Sequence, residues 1–188
     1  MKKARLIIVH GFMASPEDHW FRWLEAQAAT LGMEVTVPAM PDSAAPDEAR
    51  WLETLGQYAG DVDEQTYFVG HSLGCITVLR YLSSRPAEQR AGGIIMVSGF
   101  SEPVPLLPEL DGFTASPLEN LESLTGIAHR AVIVSLNDEI VPPAYTLRLS
   151  QQLAAPLYGL PGCGHFLDRD GFETLPQVAA LLRGFVTR

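Results

Sequence analysis

Basic charge, cysteine and long apolar runs are all scarce in this chain, and each shortage excludes something. The 188 residues carry 13 Lys and Arg against 22 Asp and Glu, a formal charge of −9. Phosphate backbones and anionic lipid surfaces draw their affinity from clustered cations. The cations here are scattered, so neither nucleic acid nor a membrane surface is an expected partner. Two cysteines, Cys75 and Cys163, are too few for a disulfide framework. Reduced thiols and a cytoplasmic location are the expectation. No stretch approaches the roughly 18 consecutive apolar residues of a membrane span. Lys2, Lys3 and Arg5 precede an apolar run of only Leu6 to Val9, too short for the core of a secretory signal.

What is present reads as one soluble domain over residues 1–188. Hydrophobic residues make up 47 % of the chain and charged residues 19 %, a balance that allows a substantial core at this length. Short apolar runs recur at 6–10 ("LIIVH"), 33–37 ("MEVTV"), 66–70 ("TYFVG"), 93–99 ("GIIMVSG"), 131–136 ("AVIVSL") and 156–160 ("PLYGL"). The first five are rich in Val, Ile or aromatics and nearly continuous in apolarity, as strands buried on both faces are. Helical patterns separate them. The first opens on "SPED", with Ser15 as N-cap, Pro16 at the first helical position and Asp18 three residues after the cap. Trp20, Trp23, Leu24, Ala28 and Leu31 then share a face, and Gly32 stands where a C-terminal cap belongs. Further helices are expected over 47–59, 73–84, 117–124, 143–153 and 171–186. Strict alternation of strand and helix implies an α/β fold, a parallel sheet of about six strands with helices on both faces. The Pro-rich segment 100–117 is too long for a plain connector. Its Val104, Leu106, Leu107, Leu110 and Phe113 fit either an apolar rim over a pocket or core under a long loop.

"GHSLG", residues 70–74, fits the G-x-S-x-G nucleophile elbow. Such an elbow holds its serine on a sharp strand-to-helix turn, and side chains two positions away on either side would strike neighbouring backbone. Gly70 and Gly74 answer that need. Chance supplies the pattern in roughly one chain in ten to twenty of this size. Here it falls at the end of an expected strand and the start of an expected helix, which chance does not require.

A serine is a poor nucleophile until a base takes its proton. Of five histidines, His165 in "PGCGHFLDRDGF" follows the last strand on a Gly-rich loop able to reach the strand ends. His71 should project away from the site, His10 ends the first strand, and His129 precedes a strand. His19 reads as a packing or capping residue in the first helical turn. The base in turn needs a carboxylate to fix its tautomer. Asp138, just past the fifth strand, is nearer the rim than its neighbour Glu139, while Asp168 and Asp170 read as caps of the last helix. Ser72, Asp138 and His165 occur in the order found in α/β-hydrolases. Backbone amides of Leu73, which opens the helix, and of Phe12, in the turn after the first strand, are the expected oxyanion donors. The scheme calls for no cofactor and no metal.

With "HGF", "DHWFRWLE", "GHSLGCITVLRYL", "SLNDEIVPP" and "GCGHF", and with "GFTASPLENLE" after the irregular segment, the chain resembles a known family nearly end to end. It is similar to the small α/β-hydrolase-fold serine hydrolases that include retinoblastoma-binding protein 9. The resemblance implies a six-stranded hydrolase without a cap domain, cleaving small carboxylic esters through an acyl-enzyme intermediate. Ser72, Asp138 and His165 match the family's triad position by position, and Phe12 and Leu73 its oxyanion positions. Two departures stand out. The L-x-C-x-E motif associated with retinoblastoma-protein binding has as its nearest counterpart "LGCIT", ending in Thr77, so that partner is not expected. Glu139 follows the acid where relatives often carry proline. Two alternatives remain beside the esterase: an interaction module with a vestigial site, using "DHWFRW" and segment 100–117 as surface, and an acyltransferase or thioesterase using the same triad.

Overall fold

The computed structural model describes residues 2–86 and 88–187. In chain order its elements are β1 (Arg5–Val9), α1 (Phe21–Thr30), β2 (Glu34–Thr36), α2 (Glu48–Ala59), β3 (Thr66–His71), α3 (Leu73–Ser83) and β4 (Gly93–Val97). There follow α4 (Asp111–Thr114), α5 (Leu121–Thr125), β5 (His129–Ser135), α6 (Pro143–Gln152), β6 (Leu157–Leu160) and α7 (Pro176–Val186). The six strands form one sheet in the order β2-β1-β3-β4-β5-β6, and every pairing is parallel.

The central runs β1, β3, β4 and β5 form strands covered on both faces. The edge strands β2 and β6 are partly exposed, so the 33–37 run is not the doubly buried strand expected from its apolarity. Alternate residues of β3 enter opposite cores: Phe68 packs with Trp51, Leu55 and Leu79 on the α2–α3 side, while Tyr67 and Val69 pack with Trp20, Phe21 and Leu24 on the α1–α7 side. Fully burying a large apolar side chain contributes about 1.5–3 kcal/mol. Two such layers explain how so short a chain holds a six-stranded sheet. The chain leaves β1 toward β2 on one side and later returns to place β3 on the other. Beyond the carboxyl ends of β1 and β3 the loops therefore diverge, and such a switch point opens a crevice.

Three helix boundaries differ from the sequence expectation, each for a backbone reason. Helix α1 begins at Phe21, because residues 15–18 close a turn in which Ser15 N–H donates to Asp18 Oδ2 (2.7 Å) and Glu17 N–H to Ser15 Oγ (3.3 Å). His19 follows with φ +54°, which an α-helix cannot contain. Helix α7 begins at Pro176 because Gly171 takes φ +91° and a loop intervenes. The helix expected over 117–124 shrinks to α5, with Asn120 at φ +48° ahead of it. Segment 100–117 divides between its two readings. Val104, Leu110 and Phe113 are core, whereas Leu106 and Leu107 line a cavity.

Candidate active site

Ser72 sits between the last residue of β3 and the first of α3 with φ +54° and ψ −119°. A non-glycine residue in so sparsely populated a region costs on the order of 1–3 kcal/mol, so its surroundings must hold it there. Its N–H donates to the Val97 carbonyl of β4 (2.9 Å), and its carbonyl accepts from Cys75 N–H (3.0 Å). The flanking glycines allow the close approach this turn demands. A Cβ on Gly74 would lie 2.1 Å from the Val9 carbonyl oxygen, and one on Gly70 2.8 Å from Cys75 Cα.

Asp138 lies just past β5 and is buried. Its Oδ1 accepts the N–H groups of Ile140 and Val141, both at 2.9 Å, and its Oδ2 accepts from His165 Nδ1 at 2.7 Å. Two backbone amides thus aim the carboxylate, and the carboxylate assigns the proton of His165 to Nδ1, leaving Nε2 as the acceptor. Glu139 is exposed and takes no part in this pairing. Ser72 and His165 line the same cavity. No hydrogen bond joins them; nucleophile–base contacts commonly tighten only when substrate is bound.

Phe12 and Leu73, whose amides are the expected oxyanion donors, lie close to Ser72. The turn after β1 lies against the elbow: a Cβ on Gly11 would sit 3.1 Å from Ser72 Cβ and 3.7 Å from the Leu73 nitrogen. Among the described residues the amides of Phe12 and Leu73 have no hydrogen-bond acceptor. Two unsatisfied donors beside a serine form a place for negative charge.

Comparison with known proteins bears on this geometry. The sequence profile described as serine hydrolase matches residues 6–184. The chain belongs to the serine hydrolase family. It is 39 % identical over 184 residues to YdeN of Bacillus subtilis (strain 168), covering 98 % of this chain and 97 % of that one. The crystal structure of the ydeN gene product from B. subtilis superimposes with a TM-score of 0.93 over 99 % of this chain and 100 % of that one, at 38 % identity. The serine hydrolase RBBP9 of Rattus norvegicus is 24 % identical over 165 residues, 87 % of this chain and 86 % of the relative. The α/β-hydrolase fold expected from the sequence is the fold observed.

In this serine hydrolase His10, His19, His71, Asp168 and Asp170 have partners that the sequence did not show. Asp168 and Asp170 do not cap α7, which starts at Pro176. Asp170 Oδ2 instead accepts the N–H groups of His165 (2.9 Å) and Leu167 (3.2 Å), and Asp168 N–H donates to His19 Nδ1 (3.1 Å). His71 lies under His165, its ring centroid 4.9 Å away, and its Nε2–H donates to the His165 carbonyl (2.9 Å). Trp20 Nε1–H donates to the Phe166 carbonyl (3.1 Å). His19 and Trp20 of "DHWFRW" therefore help to hold the His165 loop. That the segment is rich in aromatics was visible in the sequence; which loop it helps to hold was not. His10 is bound at both ring nitrogens, Nδ1–H to the Gly11 carbonyl (2.9 Å) and Nε2 from Met40 N–H (3.0 Å).

Burial holds His71 well below the usual histidine range, with its histidine neighbours opposing a second positive charge, and burial also lowers His10 and His19. The cavity above them measures about 500 Å³. Phe12, Met13, Ala14, Leu106, Leu107, Ile140 and Leu167 make most of its wall apolar, and Glu139, Asp168 and Arg169 border it. Among the described residues no cluster of His, Cys, Asp or Glu is arranged to hold a metal ion.

Two outcomes follow from this packing. Gly74→Ala is expected to destabilise the fold by about 3 kcal/mol or more, since backbone oxygen cannot yield to the new methyl. Gly184→Ala, with open space around it in α7, is expected to be neutral or stabilising by up to about 1 kcal/mol. Urea unfolding of both variants checks the contrast. The second outcome concerns pH. Unfolded histidines take up protons near their ordinary value of 6.5, while His10, His19 and His71 resist in the folded state. The unfolded chain then binds more protons, so stability falls as pH drops below that value. Unfolding free energy at pH 5.5 is expected to lie about 1–4 kcal/mol below that at pH 7.5; a flat profile contradicts the neutral, buried assignment.

Proposed function

We propose that the chain is a serine esterase of carboxylesterase type, acting on small carboxylic esters. The observation that carries this is the buried Asp138–His165 hydrogen bond of 2.7 Å, with His165 lining the same cavity as a serine on a strained elbow. In this reading Ser72 Oγ attacks the acyl carbonyl while His165 Nε2 takes its proton. The carbonyl electrons move onto oxygen, and the Phe12 and Leu73 amides stabilise the resulting charge. Asp138 holds the imidazole in its tautomer and stabilises the imidazolium without itself accepting the proton. Collapse of the tetrahedral species expels the alkoxide, which His165 protonates, leaving an acyl group on Ser72. Water, deprotonated by His165, then repeats the addition, and the carboxylic acid departs as Ser72 regains its proton.

The wall of the cavity favours an uncharged acyl group, because it offers apolar contact and few fixed polar partners. The interaction-module reading has less support, because much of the surface it would use is core. Trp20 and Phe21 of "DHWFRW" are fully buried, as are Val104, Leu110 and Phe113 of the irregular segment.

A fluorophosphonate probe tests the nucleophile: wild type is expected to label and folded Ser72→Ala to remain unlabelled. Labelling independent of Ser72 would sink the assignment. With p-nitrophenyl esters, His165→Ala and Asp138→Asn are each expected to lower kcat on the order of 10³–10⁴-fold without loss of fold. Near-wild-type turnover in Asp138→Asn would show the acid to lie elsewhere.

A further inference from the structure

The imidazole of His165 is aimed by Asp138, but its main chain is held by other groups. His165 lies in a loop where Gly162, Gly164 and Phe166 all take positive φ, +71°, +55° and +56°. Phe166 is strained there and the two glycines are free to take other conformations, so the loop does not keep its shape through local preference alone. Asp170 closes it from one side. A single oxygen, Oδ2, accepts both His165 N–H at 2.9 Å and Leu167 N–H at 3.2 Å. The carboxylate fills the space that a side chain at Gly164 would need, since a Cβ there would lie 2.5 Å from Asp170 Cγ. From the other side His71 Nε2–H holds the His165 carbonyl at 2.9 Å.

The bond from Leu167 N–H also closes the 3-10 turn Asp168–Asp170, whereas the bond from His165 N–H lies outside that turn and serves the loop alone. Among the described residues Asp170 makes no ion pair, and α7 begins six residues later without a side-chain cap. Its carboxylate is exposed, and an exposed carboxylate loses little by staying in water. Yet it is turned inward onto two amides flanking the loop's one buried imidazole. Charge-assisted bonds of this kind are stronger and shorter than neutral ones.

We propose that Asp170 is a positioning residue: its carboxylate, by holding the N–H groups of His165 and Leu167, sets the pose in which the His165 imidazole meets Ser72. The proposal rests on the reading of His165 as the general base. Asp170 touches neither substrate nor a reacting atom. Its effect passes through the loop, so it falls on the rate of proton transfer and not on substrate affinity. A displacement of about 1 Å at a reacting group can cost on the order of 10²-fold in rate. His71 and Trp20 hold the same loop from within the core, where any substitution also disturbs packing. Asp170, being exposed, allows the loop to be loosened while the core stays intact.

The test measures kcat and KM on a p-nitrophenyl ester, and the rate of fluorophosphonate labelling, for wild type, Asp170→Ala, Asp170→Asn and His165→Ala. Asp170→Ala is expected to lower kcat and labelling rate about 10- to 100-fold with KM within about twofold. Asp170→Asn keeps a side-chain oxygen that accepts both amides, and is expected to recover kcat to within about threefold of wild type. A kcat for Asp170→Ala within about twofold of wild type overturns the proposal. So does an Asp170→Asn variant as slow as Asp170→Ala. Where the alanine variant does not fold, Asp170→Glu keeps the charge and displaces the acceptor by one methylene. A loss of about tenfold or more in its kcat at unchanged KM supports the role, and wild-type kcat overturns it. His165→Ala separates the two levels. If that variant is inactive while Asp170→Ala is unimpaired, only the positioning role falls; if it is fully active, the base assignment falls and the Asp170 proposal with it.

Discussion

The close approach of α3 to the end of β1 is the constraint on which the rest of this structure depends. At Gly74 the helix lies against the Val9 carbonyl so tightly that one methyl group would sit 2.1 Å from oxygen. That contact lets the chain reverse at Ser72 with φ +54° and presses the turn after β1 against the elbow. It also sets the first amide of α3 beside that of Phe12, where both are left without an acceptor. Strain at the serine and unsatisfied donors beside it are two results of one packing decision. The two apolar layers of the sheet hold that decision in place.

The other half of the site depends on a different kind of restraint. Asp138 is fixed by two amides of its own turn, a local device. The His165 loop, with three residues at positive φ, is fixed from a distance: by Trp20 from the start of α1, by His71 beneath the ring, and by Asp170 across the bend. Neutral histidines are suited to this work. Buried in a cluster, His71 donates one hydrogen bond without placing a cation beside the imidazole that, in the proposed chemistry, must become charged.

Much of this was legible in the sequence, and the boundary of what was legible is physical. Central strands buried on both faces read as near-continuous apolar runs. The edge strands β2 and β6, though partly exposed, still carry short apolar runs between helical patterns, so all six were found, and with them the sheet-rim positions of Ser72, Asp138 and His165. Gly70 and Gly74 could be read as clearance because the motif itself states which atoms must approach. The helix starts were less readable. Ser15, Pro16 and Asp18 carry a valid local signal for a helix, but His19 at φ +54° breaks it and the same residues close a turn. Asp170 looked like a cap because it stands near a helix; that its carboxylate folds back onto His165 depends on a loop conformation that spacing does not encode. Trp20 and Phe166 are 146 positions apart, and only the assembled sheet brings them together. Segment 100–117 was ambiguous because its apolar residues serve both purposes, Leu110 the core and Leu106 the cavity.

A crystal structure of the protein after reaction with a phosphonate ester tests the central claim most directly, because the adduct copies the tetrahedral species. The phosphorus is expected on Ser72 Oγ, with its oxygen about 2.7–3.1 Å from the Phe12 and Leu73 nitrogens. His165 Nε2 is expected against the serine or leaving-group oxygen, with the Asp138 bond intact. An adduct on another residue, or an oxygen turned away from both amides, would contradict the account.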